Sequence, residues 1–129
     1  MLTTQYSVMV PNEPGQLARL TDALSRAGVN LAGVLSVNHG AMACLKFLSE
    51  QSTRLRKQLE SEGYRVSENE VFALELADGT EAFNHLASEL ASHRINILSC
   101  YGQLDERPAR LILSVDQPEK AAPIVASAR

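Results

Sequence analysis

Apolar residues recur along the chain at a constant offset of 66 positions. The tetrapeptide Gly28-Val29-Asn30-Leu31 returns as Arg94-Ile95-Asn96-Ile97, and the offset needs no gap from the first predicted helix to the last. Such self-similarity is the signature of duplicated structural units. The sequence therefore predicts two domains, residues 1–69 and 70–129. The apolar pairs related by the offset are Leu20 with Leu86, Leu24 with Leu90, Leu45 with Leu111, Phe47 with Leu113, and Leu59 with Val125.

The first copy shows the periodicities of alternating strands and helices. Its loop at residues 11–15 has turn chemistry, and Pro14 suits the first turn of the helix that follows. Glycines are natural positions for a helix to end. The predicted elements are a strand at 6–10, a helix ending at Gly28, strands at 29–37 and 42–48 around a turn at 38–40, a helix ending at Gly63, and a short strand starting at 64–66.

The second copy repeats this order but ends early. Its last residue, Arg129, is the counterpart of Gly63, so no fourth strand follows its second helix. The missing strand would be an outer one, and its absence leaves a sheet edge to be covered. The predicted elements are a strand at 71–76, a turn at 78–79, a helix with Phe83, Leu86, Ala87 and Leu90 facing inward, strands at 95–103 and 110–115, and a helix opened by Pro118.

This element order predicts an α+β fold of two ferredoxin-like βαββαβ units. Each unit has a four-stranded antiparallel sheet with both helices on one face, and the second unit lacks its last strand. A unit of about 60 residues is marginally stable alone. We therefore expect the units to associate with each other or with a second chain.

Composition and charge exclude several classes of function. The net charge of −3 and the pI near 5.6 give no field that attracts nucleic acid or anionic lipid. No apolar run reaches the roughly 18 residues that span a bilayer, and the N-terminus lacks signal-peptide features, so we expect a cytoplasmic protein. Cys44 and Cys100 each lie in an apolar segment without a CxxC motif, and we expect both to behave as small hydrophobic residues.

The residues that could carry catalysis or bind a metal are few. His39 lies in a predicted hairpin turn, and His85 and His93 lie on one helix with Glu89 between them. That spacing allows a carboxylate-assisted metal site, although solvated surface histidines are the more common reading. No catalytic or phosphate-binding motif is present. The sequence therefore predicts a protein that is not an enzyme and has neither cofactor nor metal.

The loop at residues 11–15 is the best candidate for a ligand site. Gly15 lets a ligand approach the backbone, and the N–H groups of a helix's first turn can bind a carboxylate. Asn12 offers a donor and an acceptor, which suits a ligand with both ammonium and carboxylate groups. The alternative is a plain capping loop, in which Asn caps the helix, Pro starts it and Gly relieves strain.

The motif Asn12-x-Pro14-Gly15-x-Leu17-Ala18-x-Leu20, followed by Gly28-Val29-Asn30-Leu31, resembles the signature of ACT domains. The resemblance covers nearly the whole chain as two tandem units, and the first unit matches better. ACT domains are regulatory modules that pair, commonly binding an amino acid between the first loop of one unit and the second strand of its neighbour. Carried over by position, the resemblance implies a ligand site of Asn12, Pro14, Gly15 and Leu17 with Asn96, Ile97 and Leu98.

The same resemblance implies a reciprocal site, formed by Asp78, Gly79 and Thr80 with Asn30, Leu31 and Ala32. Thr80 and Glu81 stand where the first copy has Pro14 and Gly15, and the charge of Glu81 opposes a ligand carboxylate, so this site is predicted to be weaker or absent. The implied function is a free-standing amino-acid sensor, a homodimer that acts on a regulated protein partner. The alternatives are an interaction module of the same fold without a ligand site and a small enzyme or metal protein.

Overall fold

The computed structural model describes residues 2–50 and 53–128. In this part of the chain, helices and strands follow the alternation that the apolar pattern predicts. The elements are β1 (Leu2–Pro11), α1 (Gln16–Arg26), β2 (Gly33–His39), β3 (Met42–Leu48), α2 (Thr53–Ser61), β4 (Val66–Leu76), α3 (Gly79–Ser92), β5 (Ile97–Gln103), β6 (Ala109–Val115) and α4 (Pro118–Ser127).

The six strands are hydrogen-bonded in the order β2-β3-β1-β4-β6-β5. The prediction of two four-stranded sheets is therefore wrong in its strand count. The strands predicted at 64–66 and 71–76 are parts of one continuous strand, β4. In β4, Val66 is buried, the next four residues are exposed, and Val71 is buried again. The four exposed residues between these valines include neither Gly nor Pro, so nothing in them breaks an extended backbone.

The described chain divides into two compact units. The front unit is Thr4–Asn69, and the rear unit combines residues 2–3 with residues 70–128. Strand β1 lies beside β4, and its first residues, Leu2 and Thr3, belong to the rear unit. The sheet edge that we expected to be open is thus paired, in the described part of the chain, by the first residues of β1.

Strand registers in the two units coincide when 66 is added to each residue number. Val8 pairs with Leu45 in the front unit, and Leu74 pairs with Leu111 in the rear unit. The β2–β3 and β5–β6 pairs agree in the same way until the start of β5, where a bulge separates Ile97 from Ser99. A shared register places the same positions on the same face of each sheet.

The two cores are built from matching positions. In both units, leucines on the first helix pack onto the inward-facing residues of the strands, and residues of the second helix join the same core. Every apolar pair that the offset identified is buried in both units, which confirms the pattern from which the fold was inferred. The exposures are Leu20 0% and Leu86 1%, Leu24 1% and Leu90 0%, Leu45 1% and Leu111 4%, Phe47 0% and Leu113 0%, and Leu59 0% and Val125 3%.

Several predicted boundaries differ from the structure. Pro14 precedes α1 and does not lie in its first turn. Residues 29–32 are not part of β2, because the N–H of Val29 donates to the carbonyl of Leu24 and so continues the turn that ends α1. The hairpin turn falls at residues 40–41, with Gly40 in the left-handed region at φ 63°. The predicted end of the second copy at Arg129 lies outside the described residues.

We expect Leu24→Ala and Leu90→Ala each to lower the free energy of unfolding by about 2–5 kcal/mol, because each leaves a cavity in a closely packed core. Urea denaturation measures the loss. The controls are Ser25→Ala and Ser88→Ala, at exposed positions of α1 and α3, which should change stability by about 0.5 kcal/mol or less. A loss at either leucine no larger than that of its control would contradict the matched cores.

Candidate functional site

The front loop, residues 11–15, is held against the β2–β3 turn. The Asn12 backbone N–H donates to the carbonyl of Ala41 at 2.8 Å, and the Asn12 side-chain amide donates to the carbonyl of Gly40 at 3.0 Å. One of the donors that the sequence assigned to a ligand is therefore used to fix the loop. The bond gives Asn12 a structural role in addition to any role in binding.

Gly15 is the N-cap residue of α1 and has φ 88°. No heavy atom lies within 4 Å of the position that a Cβ would take there. The glycine is therefore required by the backbone conformation, since the space around it is open. Leu17 follows in the first turn of α1 and is 38% exposed. The front loop thus presents an accessible helix start, which matches the predicted chemistry of carboxylate binding.

The predicted partner residues, Asn96, Ile97 and Leu98, lie at the start of β5. Asn96 is exposed, Ile97 packs against the rear core, and Leu98 is 60% exposed at the bulge. The front loop belongs to the front unit and these three residues belong to the rear unit. That the two sets form one site stays a prediction.

The loop residues of the predicted reciprocal site border a cavity of about 330 Å³ in the rear unit. A Cβ added to Gly79 would collide with the carbonyl oxygen of Leu104, so glycine is required for the close approach of these two loops. Sequence reasoning placed Gly79 in a turn and in the reciprocal site, but gave no sign of this close approach to Leu104. The cavity is lined by residues 77–81, including Asp78 and Glu81, and by residues 104–107.

The strand residues of the reciprocal site border a second cavity, in the front unit, of about 410 Å³. It lies where the end of α1 leads toward β2 and where β3 ends. Sequence reasoning identified Asn30, Leu31 and Ala32 here but missed Ser49 and Glu50, which line the same cavity. These two residues lie far from Asn30 in sequence, and only the β2–β3 pairing brings them close.

A third cavity of about 290 Å³ lies between α3 and α4, with His85 and Glu89 on its wall. The ring of His93, by contrast, is within 2.9 Å of the backbone carbonyl of Glu89. Among residues 2–50 and 53–128, no three His, Cys, Asp or Glu side chains are grouped as metal ligands. Of the two cysteines, Cys44 is buried as expected, whereas Cys100 is exposed on β5, contrary to expectation.

The described residues whose pKa values depart from the ordinary ones do not line these three cavities. The Arg26 guanidinium forms ion pairs with the carboxylates of Asp22 and Glu62, each at an N–O distance of 2.9 Å. The hydrogen bond from Arg26 to Glu62 lowers the pKa of Glu62 below its ordinary value. Burial raises the pKa of Tyr101 to about 12, so the phenol is neutral at physiological pH. None of the helices in the described chain has the length and apolar character needed to cross a bilayer.

We expect Gly15→Ala to lower the free energy of unfolding by about 1–2 kcal/mol, because a Cβ disfavours the left-handed conformation that Gly15 adopts. Gly15→Asn is the matched control, since asparagine tolerates this conformation better and should lose less. Urea unfolding compares the two variants. Equal stability of Gly15→Ala and the wild type would show that the helix start does not need this conformation.

No family model matches the sequence, and no curated protein matches it. Solved structures do share its fold. Protein BT0572 from Bacteroides thetaiotaomicron has a TM-score of 0.89 at 16% identity, over 98% of this chain and 88% of that one. The ligand-free regulatory subunit of aspartate kinase from Thermus thermophilus has a TM-score of 0.69 at 16% identity, over 97% and 91% of the two chains. The regulatory subunit from Thermus flavus has a TM-score of 0.67 at 17% identity, over 99% and 95%. At these identities the likeness concerns the fold alone, and the fold of this chain is ACT-like.

Proposed function

We propose that this chain is a regulatory protein, without catalytic activity of its own, that binds a free amino acid between paired ACT units. The observation that carries the proposal is the shared fold: the chain matches regulatory subunits of aspartate kinase over nearly the full length of both chains. Two cavities that border the residues of the implied reciprocal site support it, because binding sites are usually preformed concave surfaces.

The proposed ligand is a zwitterion, and two pairings of loop and strand could hold it. In both, N–H groups at a helix start receive the carboxylate, and polar groups beside the strand receive the ammonium. The first pairing joins Asn12, Pro14, Gly15 and Leu17 to Asn96, Ile97 and Leu98. The second joins Asp78, Gly79 and Thr80 to Asn30, Leu31 and Ala32.

We expect at least one of the twenty amino acids to raise the melting temperature of the purified protein. A ligand present at a hundred times its Kd adds about 2.7 kcal/mol of stability when it binds only the folded state. Differential scanning fluorimetry finds the ligand, and isothermal titration calorimetry then gives the stoichiometry. The matched control is the same amino acid as its N-acetyl amide, which lacks both charges. If no amino acid shifts the melting temperature, the chain is an interaction module of the same fold without a ligand site.

We also propose that the protein is a cytoplasmic homodimer that transmits ligand binding to a regulated partner. Strands β2 and β5 stand at the two ends of the strand order, so each presents an unpaired edge. Val34 on β2 is 52% exposed and Leu98 on β5 is 60% exposed. Exposed apolar residues on an edge strand favour pairing with another chain.

If an edge strand forms the dimer, Val34→Lys or Leu98→Lys should weaken dimerisation by about tenfold or more, because either places a charge in an apolar contact. Sedimentation equilibrium measures the dissociation constant. Ser88→Lys, at an exposed position on α3, is the control and should leave it unchanged. A wild type that is monomeric at every concentration tested, or a dimer that tolerates both variants, would show that these edges do not form the interface.

A further inference from the structure

We propose that the two units differ as ligand sites, and that the ammonium group of the amino acid binds beside Asn30 and Glu50 of the front unit. This inference rests on the amino-acid binding proposed above and names the half of the site that is used. It reverses the preference that the sequence alone indicated, which placed the better site at Asn96. The reason is a chemical difference between two equivalent segments, one in each unit, at the turn between the first helix and the second strand. We call them the closed corner, in the rear unit, and the open corner, in the front unit.

The closed corner comprises residues 94–98 with Asp116 and Gln117. Here the carboxylate of Asp116 accepts a hydrogen bond from the Asn96 backbone N–H at 3.0 Å, and the Asp116 N–H donates to the Asn96 carbonyl at 3.1 Å. The side-chain amide of Gln117 donates to the carbonyl of Arg94 at 3.1 Å. The polar backbone groups that a ligand would need at Asn96 are therefore bonded within the protein.

A neighbouring contact reinforces the closed corner. The ammonium group of Lys120 donates to the carbonyl of His93 at 2.7 Å, so α4 is also tied to the end of α3. Arg94 adopts φ 58°, a conformation that glycine favours and that Gly28 has at the equivalent position. The rear unit therefore keeps the backbone turn of the front unit while adding side chains around it.

The open corner comprises residues 28–32 with Ser49 and Glu50, and it encloses the cavity of about 410 Å³. Gly28 stands where the rear unit has Arg94, and Ala32 stands where it has Leu98, so smaller side chains surround the space. The backbone N–H of Ala32 donates to the carbonyl of Leu48 at 2.9 Å, which fixes the start of β2 through the main chain. This hydrogen bond is made by main-chain groups, and the cavity beside it remains accessible.

The lining of the open corner suits an ammonium group with an aliphatic neighbour. Glu50 supplies a carboxylate, which attracts an ammonium and repels a carboxylate, and Asn30 supplies an amide oxygen. Leu31 and Ala32 add apolar surface beside them. Glu50 occupies the position of Asp116, and its side chain is one methylene longer. We infer that Glu50 contacts the ligand, whereas Asp116 caps the backbone.

Two matched pairs of variants test this assignment in the full-length protein. Asn30→Ala is compared with Asn96→Ala, and Glu50→Gln is compared with Asp116→Asn. The probe is the amino acid that gives the largest thermal shift with the wild type, titrated by calorimetry at fixed pH and salt. Far-UV circular dichroism and the melting temperature without ligand establish that each variant is folded.

We expect Asn30→Ala and Glu50→Gln each to weaken binding by about tenfold or more. The first removes an amide oxygen that accepts a hydrogen bond from the ammonium group, and the second removes the negative charge that attracts it. Asn96→Ala should weaken binding less than Asn30→Ala does, and Asp116→Asn should keep the dissociation constant within about twofold of the wild-type value. Asp116→Asn should nevertheless lower the melting temperature, since it weakens the cap on Asn96. A loss of stability without a loss of affinity is the signature that separates the closed corner from the open one.

The other outcomes overturn the assignment in distinguishable ways. Loss of affinity at Asn96 with none at Asn30 would place the ligand at the rear unit, and the proposed function would stand. Equal loss at both would show two equivalent sites, and no loss at either, with wild-type binding intact, would show that neither corner is used. A wild type that binds no amino acid would overturn both this inference and the proposed function.

Discussion

The structure depends on the burial of matched leucines between the helices and the sheet in each unit. Leu20 and Leu24 in the front unit, and Leu86 and Leu90 in the rear unit, lie on one face of a helix because they are four residues apart. Their burial removes apolar surface from water and fixes each helix on its strands. A unit this small has few other sources of stability, so these positions are the same in both copies.

Outside the cores, the two units have diverged, and the divergence determines their chemistry. The seam between α1 and α2 carries the ion pair of Arg26 with Glu62, whereas the equivalent positions in the rear unit are Ser92 and Ala128. A cavity lies between α3 and α4, with Ala128 in its lining. After the first helix of each unit, the cavity is instead in the front unit, and in the rear unit the side chain of Asp116 caps the backbone. One backbone therefore supports different surfaces, because exposed positions do not constrain the packing.

The first residues of β1 have a structural role in the rear unit. An unpaired edge beside β4 would expose a row of backbone N–H and C=O groups. Leu2 and Thr3 at the start of β1 belong with the rear unit and supply that pairing. The remaining edges, β2 and β5, bear exposed Val34 and Leu98, and this is why association is proposed at these strands.

The apolar periodicity by itself determined the helices and the residues of the two cores, because burial repeats along a helix or strand with a period that can be read locally. The chemistry of the front loop marked Gly15 as a candidate, and the resemblance to ACT domains implied Asn30. The continuity of β4 was decided by tertiary structure, because residues 67–70 are polar and only pairing with neighbouring strands holds them extended. The closing of the Asn96 corner was likewise decided by tertiary structure. Its capping residue, Asp116, lies 20 residues away, and only the fold brings its carboxylate to the Asn96 backbone.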